Sequence, residues 1–267
     1  MIINTYMLRD VWEFREFIWS AVKREFKTRW TGTQLGPFWI VAQPLSTIVI
    51  FTVIFSNIIR PIMPNYESKF AYSIYLCAGI LPFGLFSEIL ARSVVIFVEN
   101  SNLLKKINFP KLCLPIFVIL SGLINFAIIM GLFIIFLISV SAFPGWIFFS
   151  ILPVLAVQLL FTIGLGMLLA TVNVFYRDVQ QSVGILLQFW FWLTPIVYLS
   201  RTLPEFARTI LLLNPLYPLI QAYQTIFVDR TVPQWLTLVY PLLLGIFFSA
   251  LGIYVFYKLQ GEIVDEL

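Results

Sequence analysis

Long stretches without a single charge recur along this chain, and they decide its fold class before any motif is considered. The run from Leu114 to Val140 carries no charged side chain, and comparable runs begin near Pro37, Ile147 and Trp235. A helix needs about 20 apolar residues to cross the hydrocarbon of a bilayer, whereas a barrel strand needs about 10 in alternation. Unbroken runs of this length predict helices, so the chain is expected to be an all-α polytopic membrane protein. Of its 267 residues 60% are hydrophobic and only 11% charged. The mean hydropathy of +0.94 lies outside the range of soluble domains.

Composition also removes several functions. The chain has no histidine, so histidine relays, histidine bases and most zinc sites are excluded. Cys77 and Cys113 fall at different depths and do not build a disulfide framework. A P-loop needs a glycine-rich turn ending in Gly-Lys, and no such pair occurs, so nucleotide is not expected to bind here. The net charge of +4 is concentrated at expected membrane edges, which points to lipid headgroups and not to nucleic acid. About 36 amphipathic, charged residues precede the first long run, which argues against a secretory leader.

Taken in order, residues 1–36 form a terminal segment in which Phe14, Phe17, Ile18, Ala21 and Val22 share one helical face. Glu16, Ser20, Lys23 and Lys27 lie opposite, the pattern of a helix in the headgroup plane. The membrane domain covers 37–257, with about six spans expected over 37–59, 70–98, 114–140, 147–172, 182–199 and 235–257. Gly79, Pro82 and Gly84 should kink or divide the second span. Residues 99–115 are expected to hold a short amphipathic helix closed by Pro110. The segment 200–234 is too broken to cross: Asn214-Pro215 and Tyr217-Pro218 interrupt it, which suggests two re-entrant pieces. A polar tail covers 258–267.

With six spans both termini share a side, and charge chooses it. Arg9, Arg15, Lys23, Arg24, Lys27, Arg29, Lys105, Lys106, Lys111, Arg177 and Lys258 fall on the terminus side. Arg60, Lys69, Arg201, Arg208 and Arg230 fall on the other. The positive-inside rule therefore places both termini in the cytoplasm.

Three groups of residues could carry function. Glu88 and Arg92, four positions apart in the second span, can pair on one helix face, and charges at such depth often line a substrate path or lock a helix contact. Tyr72 and Tyr75, with Phe189, Trp190 and Trp192 in the run Phe189–Trp192, offer flat rings to sugar or core; at 3.6 residues per turn only about two of the run can face one lumen. The terminal helix, the basic loop helix and the short Tyr176–Gln180 turn share the cytoplasmic side, where a partner could push on them.

The ordered motifs KREFKTRW, LGPFW, QPL, NSNLLKKINFPKLCLP, NVFYRDVQQ and NPLYPLI resemble the ABC-2 type permease subunits of bacterial polysaccharide exporters, over nearly the whole chain. Trp30 and Thr33 stand where that family more often has Tyr and Ser. The resemblance implies an ABC-2 exporter fold, in which the terminal helix is an interface helix and paired periplasmic helices form a gate. It implies a homodimer in the bacterial inner membrane, bound to two copies of a separate P-loop subunit that holds ATP and Mg. The cargo implied is undecaprenyl-linked polysaccharide, O-antigen first, with no enzyme activity in this chain. By position, Phe14, Lys23, Arg24, Leu104, Lys105, Lys106, Phe109, Pro110, Arg177 and Asp178 would couple to the ATPase. Tyr72, Tyr75, Glu88, Arg92, Phe189, Trp190 and Trp192 would border the path, and Pro204, Asn214, Pro215, Tyr217 and Pro218 the gate.

Two alternatives stay open at this point. One is an ABC-2 permease for capsule, teichoic acid or another amphiphile; the other, from a different class, is a membrane-embedded transferase acting on a polyprenyl carrier. A purely structural scaffold would leave the re-entrant segment and the aromatic run without a reason.

Overall fold

A computed structural model describes residues 12–30, 38, 42, 45–46, 49–50, 70–106, 110–200 and 203–267. The first expected span, 37–59, falls almost wholly outside them, as do Thr33 and Phe109. The described residues are mostly helical and include no strand. Four helices there are long and apolar enough to cross a membrane. In hydrocarbon every backbone donor and acceptor must be satisfied within the segment, which a helix alone achieves for an isolated span.

The helices are α1 (Arg15–Trp30), α2 (Ala71–Glu99), α3 (Ser101–Lys106), α4 (Cys113–Ser139), α5 (Ile151–Phe175), α6 (Asp178–Leu193), α7 (Glu205–Leu212), α8 (Leu216–Gln224), α9 (Val239–Leu259) and α10 (Ile263–Glu266). Helix α2 is the axis of the molecule. Two-thirds of its most apolar window is buried (67%), against 22% for the window in the last span, so α2 is enclosed by the rest of the chain while α9 is largely left on its outside. Phe86, Ile89, Leu90 and Phe97 are fully buried along α2. Phe86 stacks on Phe161 of α5 and meets Trp190 of α6 edge-on.

The expected division of α2 at Gly79, Pro82 and Gly84 does not occur, and the helix runs unbroken through all three. Proline removes one backbone donor from a helix interior, and packing against neighbours holds the turn in place. Gln158 of α5 donates to the Pro82 carbonyl at 2.8 Å. Gly79 serves close approach instead: a Cβ there would stand 3.1 Å from Ile196 and 3.2 Å from Gln224.

Helices α5 and α9 approach as closely as their glycines allow. A Cβ on Gly164 would fall 2.4 Å from the Ser249 backbone nitrogen, and one on Gly252 would fall 2.8 Å from the Gly164 carbonyl. Small residues at a membrane helix crossing bring backbones together where no hydrophobic force distinguishes protein from lipid.

The span expected over 182–199 is corrected at both ends. Helix α6 begins at Asp178 and stops at Leu193, and its 16 residues reach about 24 Å at 1.5 Å each. Proline at 195 explains the stop, because the residue before a proline is driven out of helical geometry. Thr194 accordingly takes ψ 131°. Residues 194–200 then run irregularly across the end of α2.

Candidate functional site

The basic end of the molecule gathers α3, the turn between α5 and α6, and α10. Asn173, buried in the last turns of α5, donates to the Val94 carbonyl of α2 at 3.0 Å and accepts from the Gln180 N–H at 3.0 Å. One side chain thus ties the Tyr176–Arg177 turn to the central helix. Arg177 and Asp178 are exposed beyond it. Leu104 anchors α3 in the core while Lys105 points outward and Pro110 is half-buried. Lys106 belongs to α3, but its side chain lies outside the described residues. The C-terminal segment docks here as well: Ile263 is fully buried, and Lys111 Nζ donates to the Gln260 carbonyl. Burial pulls the Lys111 ammonium below its ordinary range, an effect the nearby Asp265 opposes.

Helix α1 lies against α4 and buries one face. Ile18 and Val22 are 4% and 2% exposed, Phe14 is half-buried, and Lys23 and Arg24 face outward, the Lys23 ammonium 5.7 Å from the Trp19 ring centre. The same apolar stripe continues one turn further to Glu25, whose carboxylate enters the protein. Its Oε2 stands 2.7 Å from Arg92 Nη2 and accepts the Ser121 hydroxyl at 2.7 Å.

Arg92 therefore lies between two carboxylates. Its Nη1 approaches Glu88 Oε1 at 3.4 Å, the pairing expected from their spacing, and Glu88 Oε2 accepts from Asn125 Nδ2 at 2.8 Å. The guanidinium also sits 5.7 Å from the Phe117 ring centre. Side-chain exposures of 25% for Arg92, 17% for Glu25 and 23% for Glu88 place the cluster below the surface. Arg92 is about 10 Å inside the end of α2 at 1.5 Å per residue. Glu25 lies in the KREFKTRW motif but was not among the expected site residues, and Ser121 and Asn125 belong to no motif. Glu25 was legible as a charge three positions beyond Val22 on an apolar face, whereas Ser121 and Asn125 carried no sequence signal.

At the opposite end Tyr72 and Tyr75, whose rings could serve sugar or core, are buried in the core. Each is only 7% exposed, and both hydroxyls bond the irregular segment after α6. Tyr72 donates to the Val197 carbonyl, and Tyr75 reaches the Pro195 and Tyr198 carbonyls at 3.0 and 2.9 Å. Backbone that leaves the helix at membrane depth must find side-chain partners, and these phenols supply them.

The aromatic run of α6 splits by periodicity. Phe189 and Trp192 face outward, 69% and 60% exposed, while Trp190 and Phe191 pack inward on Phe86, Phe161 and Phe83. Asn214 locks the end of this helix. Its Oδ1 accepts Trp190 Nε1 at 2.8 Å and the Leu216 N–H at 3.0 Å, and its Nδ2 donates to Thr194 Oγ1 at 2.9 Å. The chain breaks at Asn214-Pro215 as expected, but Tyr217-Pro218 does not interrupt it. Pro218 falls in the first turn of α8, where a missing N–H leaves no bond unmade. Pro204 caps the start of α7.

A family model described as ABC-2 type transporter matches residues 16–228. The O-antigen export system permease protein RfbA of Myxococcus xanthus is 31% identical over 230 residues, 85% of this chain and 86% of that protein. A protein of the same name from Klebsiella pneumoniae is 28% identical over 246 residues, 91% and 92% of the two chains. The polysialic acid transport protein KpsM of Escherichia coli is 24% identical over 202 residues, 74% and 76% of the two. The motif order, the helical membrane architecture and these matches over most of the chain agree: this chain belongs to the ABC-2 type transporter family.

Proposed function

We propose that the chain is the membrane subunit of an ATP-driven exporter of lipid-linked bacterial polysaccharide, O-antigen in the first instance. It works as a homodimer in the inner membrane with both termini cytoplasmic, and two copies of a separate P-loop subunit bind ATP and Mg. Relatives named for O-antigen export, similar across nearly their full length, support the cargo. The observation that carries the mechanism is the unbroken helix α2. One end holds Arg92 against Glu25 of α1, and the other holds Tyr72, Tyr75 and Gly79 against the gate segment.

In this reading nucleotide binding draws the two ATPases together and displaces α1, α3 and the Arg177 turn. A rigid α2 delivers that displacement to residues 194–224, and the lumen between protomers opens to the glycan. In this reading the outward rings Phe189 and Trp192 of α6 face that lumen. A capsule-type glycan is the second reading, favoured by the similarity to the polysialic acid transport protein.

Deleting the gene should abolish surface polysaccharide and accumulate lipid-linked glycan on the inner face of the membrane, and the gene supplied on a plasmid should restore export. Unchanged surface glycan in the deletion strain would overturn the proposal.

A further inference from the structure

Two hollows, the first of mixed and the second of polar lining, open side by side at the end of the molecule remote from α3 and α10. The first, about 160 Å³, lies between α8 and the irregular segment after α6, with Tyr75, Tyr217 and Gln224 among its walls. The second, about 280 Å³, lies between α8 and residues 231–237. Gln221, Thr225 and Asp229 line both, so the hollows form one site with a shared partition. At about 30 Å³ per water the first has room for about five waters and the second for about nine, so the two together, open to the outside, can take a saccharide ring.

The partition has an unusual backbone. Helix α8 ends in a π turn over Thr225–Asp229, and Arg230 then takes a left-handed φ of 54°. A π turn inserts one extra residue into a helix and is found mostly where function needs a side chain re-aimed. The partition is formed by Gln221 of α8 together with Thr225 and Asp229, the first and last residues of the π turn.

The chemistry is that of neutral hydroxyl recognition. Among the described residues no hydrogen bond occupies the Tyr217 hydroxyl, the Gln221 amide or the Thr225 hydroxyl. Amides and hydroxyls both donate and accept, as a ring bearing several hydroxyls requires, and a half-buried tyrosine adds an apolar wall. Among the described lining residues there is no Lys or Arg, and Asp229 contributes the one carboxylate. The Asp229 carboxylate repels an acidic sugar where it would tolerate a neutral one.

We infer that this double hollow is a saccharide-binding site for neutral sugar residues of the exported chain at the outer mouth of the path. The inference rests on the exporter reading above and adds a class of sugar to it. Such a site would hold the emerging chain between strokes.

The test uses the full chain in lipid nanodiscs and saturation-transfer NMR. The probes are neutral tetrasaccharides of mannose, galactose and N-acetylglucosamine, with a sialic acid tetrasaccharide as the acidic comparison. At least one neutral probe should give a signal that falls fivefold or more in the double variant Gln221→Leu/Thr225→Val and is largely kept in Gln221→Asn. The acidic probe should give none. Absence of signal from every neutral probe, an equal signal in the double variant, or equal binding of the acidic probe would each overturn the site. If the exporter reading alone is wrong, the deletion strain keeps its surface glycan. If the site alone is wrong, the double variant supports normal export and the NMR signal is unchanged.

Discussion

Glu25 and Arg92 lie 67 positions apart in sequence and 2.7 Å apart in space. The contact joins α1 to the helix around which the molecule is packed. Ser121 and Asn125 of α4 bond the two carboxylates involved, so three helices meet at one guanidinium.

Removing Arg92 leaves Glu25 and Glu88 facing each other below the surface. Arg92→Ala should cost about 1–3 kcal/mol, between the scales for exposed and buried pairs, and lower the thermal midpoint of the purified protein. Glu25→Ala should cost less, because Arg92 retains Glu88. A double-mutant cycle between Glu25 and Arg92 should return a coupling of about 1 kcal/mol or more, and a value near zero would show the pair to be incidental.

The α5–α9 crossing has no space to give. Gly164→Leu should cost about 2 kcal/mol or more and reduce the folded yield, because its neighbour is backbone that cannot rotate aside. Gly131→Ala in α4 meets nothing within 4 Å and should leave expression and melting unchanged. Similar melting of both variants would refute the close crossing.

Asn214 satisfies Trp190, Thr194 and Leu216 at once. Asn214→Ala orphans these groups and should destabilise by about 1–3 kcal/mol. Asn214→Asp keeps the acceptor but loses the donor and should fall between. Tryptophan emission followed through thermal unfolding, with Trp190→Phe as control, reports whether the loss starts at the end of α6.

Arg177 is exposed on the basic end, where a partner's acidic surface would meet it. Arg177→Ala should leave the melting temperature unchanged, weaken association with the ATP-binding subunit, and reduce the salt dependence of that association. Affinity measured at two ionic strengths checks this; an unaltered salt slope would remove Arg177 from the interface.

What the sequence disclosed, and what it hid, follows from the range of each interaction. The stripe of Phe14, Ile18 and Val22 was legible because helical periodicity is local. The end of α6 was legible too, in Thr194-Pro195, but hydropathy continues through Ile196, Val197 and Leu199 and masked it. The inward turn of Tyr72 and Tyr75 was hidden, since their partners are carbonyls more than a hundred positions away. The same holds for the π turn after α8, which no residue preference announces.

The most direct measurement is ATP hydrolysis by the chain co-purified with its P-loop subunit in lipid, with and without lipid-linked glycan, comparing the native sequence with Glu25→Gln. The account predicts a stable complex whose hydrolysis responds to glycan, and a variant that still assembles but has lost most of that response. A Glu25→Gln complex that responds as fully as the native one would contradict the claim that α1 drives the transporter through Arg92.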